Sequence, residues 1–120
     1  MRVVLVMAMA LLGGVAQAQV AVGKPYKIES DPSATYYNLE FGGSGALRTI
    51  VTKREGKSGT SYAKREIDCN ARTFRYLGEG DTLAEAKRSK GNFPMGPLTD
   101  RSISSYVADQ ACAAYKRGAK

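Results

Sequence analysis

The sequence predicts an α+β domain: an antiparallel β-sheet meander with a C-terminal α-helix packed on one face and linked to it by a disulfide. Three observations predict this fold. Segments that alternate apolar and polar side chains are separated by glycine-rich turns, as in an antiparallel sheet with one solvated face. An amphipathic helical pattern follows near the C-terminus. The two cysteines of the chain lie in one predicted strand and in this helix.

Residues 1–18 have the pattern of a cleavable secretory signal peptide. Arg2 precedes an apolar run over 3–12, and the segment ends with Ala16 and Ala18, the small residues that signal peptidase requires. The run is far shorter than the ~20 residues that span a bilayer, which favours cleavage over a membrane anchor. No Cys follows these small residues, so we expect no lipid anchor. We expect residues 19–120 to form one mature domain that is periplasmic or secreted.

The chain has a strongly positive net charge and few large apolar residues to form a core. The chain has 18 Lys and Arg against 11 Asp and Glu, a formal net charge of +7, and a basic protein attracts anionic partners. Only 16 residues after position 18 are Ile, Leu, Val or Phe, which is close to the composition of disordered chains. Seven tyrosines favour a folded domain instead. Because association would bury more apolar surface, we also expect that a homodimer can form.

The cysteines predict a structural disulfide. Cys69 and Cys112 both lie after the leader, and pairing is the default for exported cysteines. A redox-active pair would more often be spaced as C-x-x-C. Closing a loop of this length stabilises a fold by about 4 kcal/mol in the chain-entropy description, which matters for a thin core.

Alternation predicts a short strand over 26–29 and longer strands over 34–41, 46–55, 60–69 and 71–77, with turns at 42–45, 56–59 and 78–81. The turn at 56–59 contains Gly-Lys-Ser but lacks the earlier glycine of a phosphate-binding loop, because position 51 is Val. In the strand over 34–41 we expect Tyr37, Leu39 and Phe41 to share a face. In the strand over 60–69, Arg65 falls on the inward face, which predicts an edge or a partly open face.

Beyond the strands, the sequence predicts a loop and a helix. Residues 82–90 are compatible with a short helix or another strand, and that choice stays open. Pro94 and Pro97 exclude helix and central strand over 91–98. Thr99, Asp100 or Ser102 can cap a helix that Gly118 ends. Its predicted inner half holds Ser104, Val107, Ala108, Ala111, Cys112, Ala114 and Tyr115, whereas Asp109 and Gln110 fall in the outer half.

Ile-Asp-Cys at 67–69 is followed by an aromatic and basic strand, a Pro-containing loop, and a helix entered through Leu-Thr-Asp at 98–100 that closes on Ala-Cys-Ala at 111–113. In these features the stretch from Tyr62 to Tyr115 resembles the surface-adhesin protein E family of Gram-negative bacteria. The early Tyr-Tyr at 36–37 is also similar. The resemblance implies a small antiparallel sheet with a disulfide-linked helix, and adhesion to host extracellular proteins. Among site residues, only the two cysteines carry over.

The functional residues that the sequence suggests are basic. No His is present, so the commonest general base and neutral metal ligand are missing, and we expect no catalytic residue, metal or cofactor. We expect a basic solvent-facing surface to bind a protein or an anionic polymer. We expect no binding of nucleic acid. The candidate residues of this surface are Arg48, Lys53, Arg54, Lys57, Lys64, Arg72, Lys87, Arg88 and Lys90.

Three alternatives to this basic site stay open. The charges can simply solvate the sheet and protect its edges against aggregation. The Pro-rich loop over 91–98 can plug an enzyme, as in a periplasmic or secreted inhibitor or immunity protein. Glu66 and Asp68, on the outer face of one strand, can serve a small hydrolase as paired carboxylates.

Overall fold

A computed structural model describes residues 19–88 and 93–116. The leader over 1–18 and Gly118 lie outside the described residues. The elements, in chain order, are β1 Pro25–Tyr26, β2 Thr35–Ser44, β3 Leu47–Gly56, β4 Gly59–Asp68, β5 Thr73–Gly80, α1 Leu83–Lys87, β6 Gly96–Pro97 and α2 Ile103–Lys116. The strands form one sheet in the order β1 to β6, and every neighbouring pair is antiparallel. This meander with a C-terminal helix confirms the predicted fold class.

The core lies between α2 and one face of the sheet, which we call the helix face. Ile50 of β3 and Ile67 of β4 are fully buried there against Val107, Ala108 and Ala111 of α2. The small side chains of α2 allow its backbone to approach the sheet closely, so few large aliphatic residues are needed to fill the space. Much of the remaining volume is aromatic, since Tyr36 is also buried in this cluster.

The Cys69–Cys112 disulfide is present. Cys69 follows the last residue of β4, Cys112 lies in the second half of α2, and their Cα atoms are 5.8 Å apart. The bridge therefore joins the end of a central strand to the helix that covers it, as predicted. It is consistent with an oxidising compartment outside the cytoplasm. Within residues 19–88 and 93–116, no helix is long and apolar enough to cross a membrane.

β2 departs from the predicted alternation. Its register against β3 shifts between Asn38 and Glu40, so that Leu39 is the extra residue of a β-bulge. Tyr36, Asn38 and Phe41 pair with helix-face residues of β3, whereas Tyr37 lies on the opposite face. The expectation that Tyr37, Leu39 and Phe41 share a face is therefore wrong, because the bulge reverses the alternation within the strand.

Gln110 corrects the predicted outer half of the C-terminal helix. It is only 8% exposed, because residues 19 and 20 pack over α2 at this point. Its Oε1 accepts hydrogen bonds from the Val20 backbone N–H at 2.6 Å and from Asn38 Nδ2 at 3.1 Å. Tyr26 Oη–H donates to Asn38 Oδ1 at 2.8 Å, so the buried amide of Asn38 is satisfied on both sides.

The segment after β5 begins with a helix. Of the two states that the sequence left open for residues 82–90, helix or strand, the structure therefore shows a helix over Leu83–Lys87. Thr82 and Glu85 form a capping box that satisfies the first backbone N–H groups of α1. The helix lies on the outer face of the sheet, opposite α2. Its Ala86 is fully buried, and Nζ of its Lys87 is 2.6 Å from Glu40 Oε2 of β2. The outer face is therefore covered over part of its area, and Val51 is buried on it.

We expect the disulfide to account for a large share of the stability. Replacing Cys69 and Cys112 together by Ser should lower the free energy of unfolding by about 4 kcal/mol, because the 43-residue separation is no longer closed in the unfolded chain. Urea unfolding of the variant and of the oxidised wild type measures this difference. A loss below ~1 kcal/mol would show that the packing of α2 is sufficient alone.

Gly78 should be intolerant of a side chain. A Cβ at this position would lie 2.1 Å from the carbonyl oxygen of Ala86, so Gly78→Ala must push α1 away from β5. We expect a loss of about 1–3 kcal/mol in urea unfolding, the usual cost of overpacking. Gly96→Ala is the matched control, since its Cβ would meet no atom within 4 Å. Equal effects of the two variants would contradict this packing.

Candidate functional site

The helix face has an open end. α2 begins at Ile103 and covers only part of the sheet, which leaves a cavity of about 420 Å³ beside its first residue. Its walls come from the three longest strands and β5, and they include Tyr36, Thr52, Arg54, Tyr62, Arg65 and Tyr76. We call this cavity the Arg65 pocket. It is the feature of the described chain that most resembles a binding site, because polar and aromatic groups converge in a concave space.

Arg65 lies in the middle of β4 and is only 5% exposed. Its guanidinium donates three hydrogen bonds: Nε to Ser104 Oγ at 3.0 Å, Nη1 to Thr52 Oγ1 at 3.2 Å, and Nη2 to Tyr76 Oη at 3.2 Å. The guanidinium carbon also lies 4.8 Å from the centre of the Tyr76 ring. The expected edge strand is wrong, because β4 lies between β3 and β5. The expected partly open face is confirmed by the pocket.

The charge of Arg65 is not balanced by its neighbours. All three hydrogen-bond partners are neutral hydroxyl groups, and no carboxylate of residues 19–88 or 93–116 lies within 4.0 Å of the guanidinium. A guanidinium keeps its charge in a protein. Buried charges are normally paired, because removing an ion from water costs several kcal/mol. Arg65 is therefore a buried positive charge without a carboxylate in contact, and the two carboxylates that line the same cavity, Glu79 and Asp81, are both exposed.

Arg54, the second arginine of the pocket, is fixed by an ion pair. Its Nε and Nη2 bind the two carboxylate oxygens of Asp31 at 2.8 and 3.2 Å. Tyr36 Oη–H donates to Asp31 Oδ2 at 2.5 Å. Hydrogen bonds from Arg54 and Tyr36 lower the pKa of Asp31. Burial, together with the Asp31 hydrogen bond, raises the pKa of Tyr36 to about 12. Arg54 thus holds the loop before β2 against the sheet.

The predicted basic residues do not form one surface. Arg48 and Arg54 lie on the helix face, because Ile50 lies between them in the alternation of β3, whereas Lys53 and Lys64 lie on the outer face. The expectation of a common solvent-facing surface is therefore wrong for Arg48 and Arg54. Four of the predicted residues are paired with carboxylates: Lys53 with Glu55, Arg54 with Asp31, Arg72 with Asp109, and Lys87 with Glu40.

The other predicted basic residues are dispersed. Lys57 is exposed in the β3–β4 turn, and Arg88 is exposed after α1. Counting only carboxylates that the structure describes, none lies within 4.0 Å of Arg48, Lys57, Lys64 or Arg88. Lys90 lies outside the described residues. Among the described Lys and Arg residues, only Arg65 is buried, and it was not among the predicted surface residues.

The carboxylates that suggested a hydrolase are engaged elsewhere. Glu66 Oε1 lies 2.7 Å from Arg75 Nη2, and Asp68 accepts hydrogen bonds from the backbone N–H groups of Asn70 and Ala71. Asp68 thereby orders the β4–β5 turn, where Arg72 has a positive φ of 57°. In the described part of the chain, no group of three His, Cys, Asp or Glu residues could hold a metal ion.

We expect Asp31 to make stability depend on acid pH. Because its native pKa is lowered, the folded state binds fewer protons than the unfolded state, and stability falls as pH drops through ~4 towards the native pKa. Asp31→Asn should cost about 2 kcal/mol at neutral pH, the worth of a charged hydrogen bond. This difference should shrink below pH ~4, where the wild-type carboxyl also becomes neutral.

Urea unfolding at neutral and acid pH measures this dependence. Glu55→Gln is the matched control, because Glu55 pairs with Lys53 at an exposed site, where solvent screens the interaction, and we expect a smaller effect on stability than that of Asp31→Asn. A gap between wild type and Asp31→Asn that stays constant with pH would contradict the role of the ion pair.

Comparison with protein-family models, with curated proteins and with solved structures finds no match to this chain. The resemblance to the surface-adhesin protein E family therefore stays a prediction from the sequence.

Proposed function

We propose that this chain is an exported, non-enzymatic binding protein of the cell envelope that engages an anionic group of a protein or polymer partner. The observation that carries the proposal is the Arg65 pocket. A positive charge that is 5% exposed and bound only to hydroxyl groups stands at the wall of an open cavity. Electrostatic attraction is stronger where water is displaced, so an incoming anion gains more here than at an exposed lysine.

The location that we propose is the periplasm or the cell exterior. The pattern of residues 1–18 supports export, and the disulfide supports an oxidising compartment. The role that we propose is like that of the surface-adhesin protein E family, with host extracellular proteins or anionic envelope polymers as partners. The excess of Lys and Arg over Asp and Glu would speed the approach of such partners.

A second candidate function is inhibition of an envelope-acting enzyme, as in an inhibitor or immunity protein. The described part of the Pro-rich loop favours it, because Phe93 is 55% exposed next to Pro94. The loop is anchored at this residue and after it: Arg75 Nη1 donates to the Phe93 carbonyl at 3.1 Å, and Gly96–Pro97 pairs with β5. An exposed aromatic ring on an anchored loop is suited to entering a partner's cleft.

We expect the purified protein, residues 19–120, to bind immobilised acidic polysaccharides or extracellular matrix proteins at low salt and to lose this binding at high salt. A neutral polysaccharide should not bind. Arg65→Gln should weaken the interaction, whereas Lys27→Gln should not, because Lys27 is exposed and lines no part of the pocket. Surface plasmon resonance at two salt concentrations measures this. Salt-independent binding, or binding to none of these partners, would contradict the proposal.

The inhibitor candidate makes a different prediction. A secreted or periplasmic enzyme should co-purify with the wild type, and Phe93→Ala should release it with a loss of more than ~2 kcal/mol of binding free energy, as for an interface anchor. Val22→Ala is the matched control, because Val22 is equally exposed, at 57%, but lies outside this loop. Retention of the enzyme by Phe93→Ala would exclude this loop as the plug.

A further inference from the structure

We infer that the Arg65 pocket is a receptor for a single carboxylate group, the part of the anionic partner that enters the domain. The inference deepens the proposed function and rests on it. It depends on three features of the pocket: the hydrogen bonds that remain to be made, the number of charges, and the nature of the walls.

The groups around Arg65 have donors left and few acceptors. A guanidinium has five N–H groups, and Arg65 uses three of them within the described residues. One N–H group therefore remains on each of the two terminal nitrogens. A bidentate carboxylate accepts hydrogen bonds from two such N–H groups. Thr52 Oγ1 accepts from Arg65 and makes no further side-chain hydrogen bond within the described residues, so its O–H can donate to a ligand, whereas Tyr76 Oη and Ser104 Oγ share a hydrogen bond at 3.4 Å. A bound carboxylate would satisfy both kinds of donor.

The charges of the pocket favour an anion with one negative charge. Arg54 is neutralised by Asp31, so Arg65 contributes the unbalanced positive charge. Glu79 and Asp81 also line the cavity, and both are exposed at its rim. They would repel a phosphate dianion or a densely charged polyanion more than a monoanion. One bound carboxylate matches the one buried charge of Arg65, while Glu79 and Asp81 stay in contact with solvent at the rim.

The walls of the pocket suit a ring or a short side chain carrying that carboxylate. Tyr36 and Tyr76 supply aromatic surface around the polar centre, and the cavity of about 420 Å³ is within the range of small-ligand sites. One sugar or amino-acid unit fills such a volume. The carboxylate can come from a uronic acid unit of a polysaccharide or from the C-terminus of a peptide, and the two sources offer the same chemistry to Arg65.

Titration with small carboxylates tests the inference directly. The probes are glucuronate, an acetylated dipeptide with a free C-terminus, the same dipeptide amidated, glucose, and inorganic phosphate. We expect glucuronate or the free dipeptide, or both, to give saturable NMR shifts at Thr52 and Tyr76 and to raise the melting temperature. Glucose and the amidated dipeptide should do neither, and phosphate should bind more weakly. The better carboxylate identifies the source.

Variants connect this binding to the proposed residues. Arg65→Gln should weaken carboxylate binding by about tenfold or more, because a charge-assisted pair is lost. Glu79→Gln should strengthen it by roughly twofold or more by removing repulsion at the rim. Lys53→Gln, on the outer face, should leave it unchanged. Arg65→Gln should still fold, because a neutral amide replaces a buried charge; its circular dichroism and intact disulfide check this.

The outcomes separate this inference from the proposed function. Carboxylate binding that is equal in the wild type and Arg65→Gln, or that glucose matches, overturns the inference even if large partners bind in a salt-sensitive way. Arg65-dependent binding of small carboxylates without any macromolecular partner supports the pocket and overturns the envelope-binding role. Failure of every carboxylate to shift Thr52 or Tyr76 overturns the inference.

Discussion

The packing of α2 on β3 and β4, tied by the Cys69–Cys112 disulfide, is the interaction on which the rest of the structure depends. The fully buried core residues of the helix are small: Val107, Ala108, Ala111 and Cys112. The bridge compensates by holding the helix at the end of β4 where these residues meet Ile50 and Ile67. α2 begins only at Ile103, and the part of the helix face that lies beyond this residue is the Arg65 pocket.

The buried charge of Arg65 disfavours folding but can favour the binding of an anion. A leucine or methionine at position 65 would fill the same space without an unpaired charge, and such replacements often stabilise proteins. Three hydroxyl groups and a tyrosine ring make the arginine tolerable but do not neutralise it. Functional sites are where proteins commonly retain a locally unfavourable arrangement. Arg65 differs in this respect from Arg54, whose carboxylate partner makes it part of the scaffold.

Local pattern was sufficient to predict most of the fold. The strands over 46–55 and 60–69 follow the period of two, and the disulfide follows from the cysteines and their compartment. The bulge at Leu39 could not be predicted, because a bulge is defined by pairing with another strand. The helical state of α1 depended on the capping box of Thr82 and Glu85, a local signal that was present in the sequence.

The site was harder to predict than the fold. Arg65 gave a signal as a charge at an inward position, but its three hydroxyl partners come from three different elements. The basic residues could not be sorted by sequence alone, because their neutralisation depends on distant contacts. Arg72, for example, pairs with Asp109, which lies 37 residues further along the chain. Only the assembled sheet shows which positive charges remain available.

The contact between Gln110 and the first described residues has a consequence for the order of folding. Val20 and Gln19 both bind Gln110, across sequence separations of 90 and 91 residues. Contacts of such separation form slowly, and a chain made from its N-terminus cannot form them until α2 has emerged. The domain therefore cannot finish folding until its last helix has been synthesised. A translocation pathway that carries unfolded polypeptides would receive a chain that is still incompletely folded and can be transported.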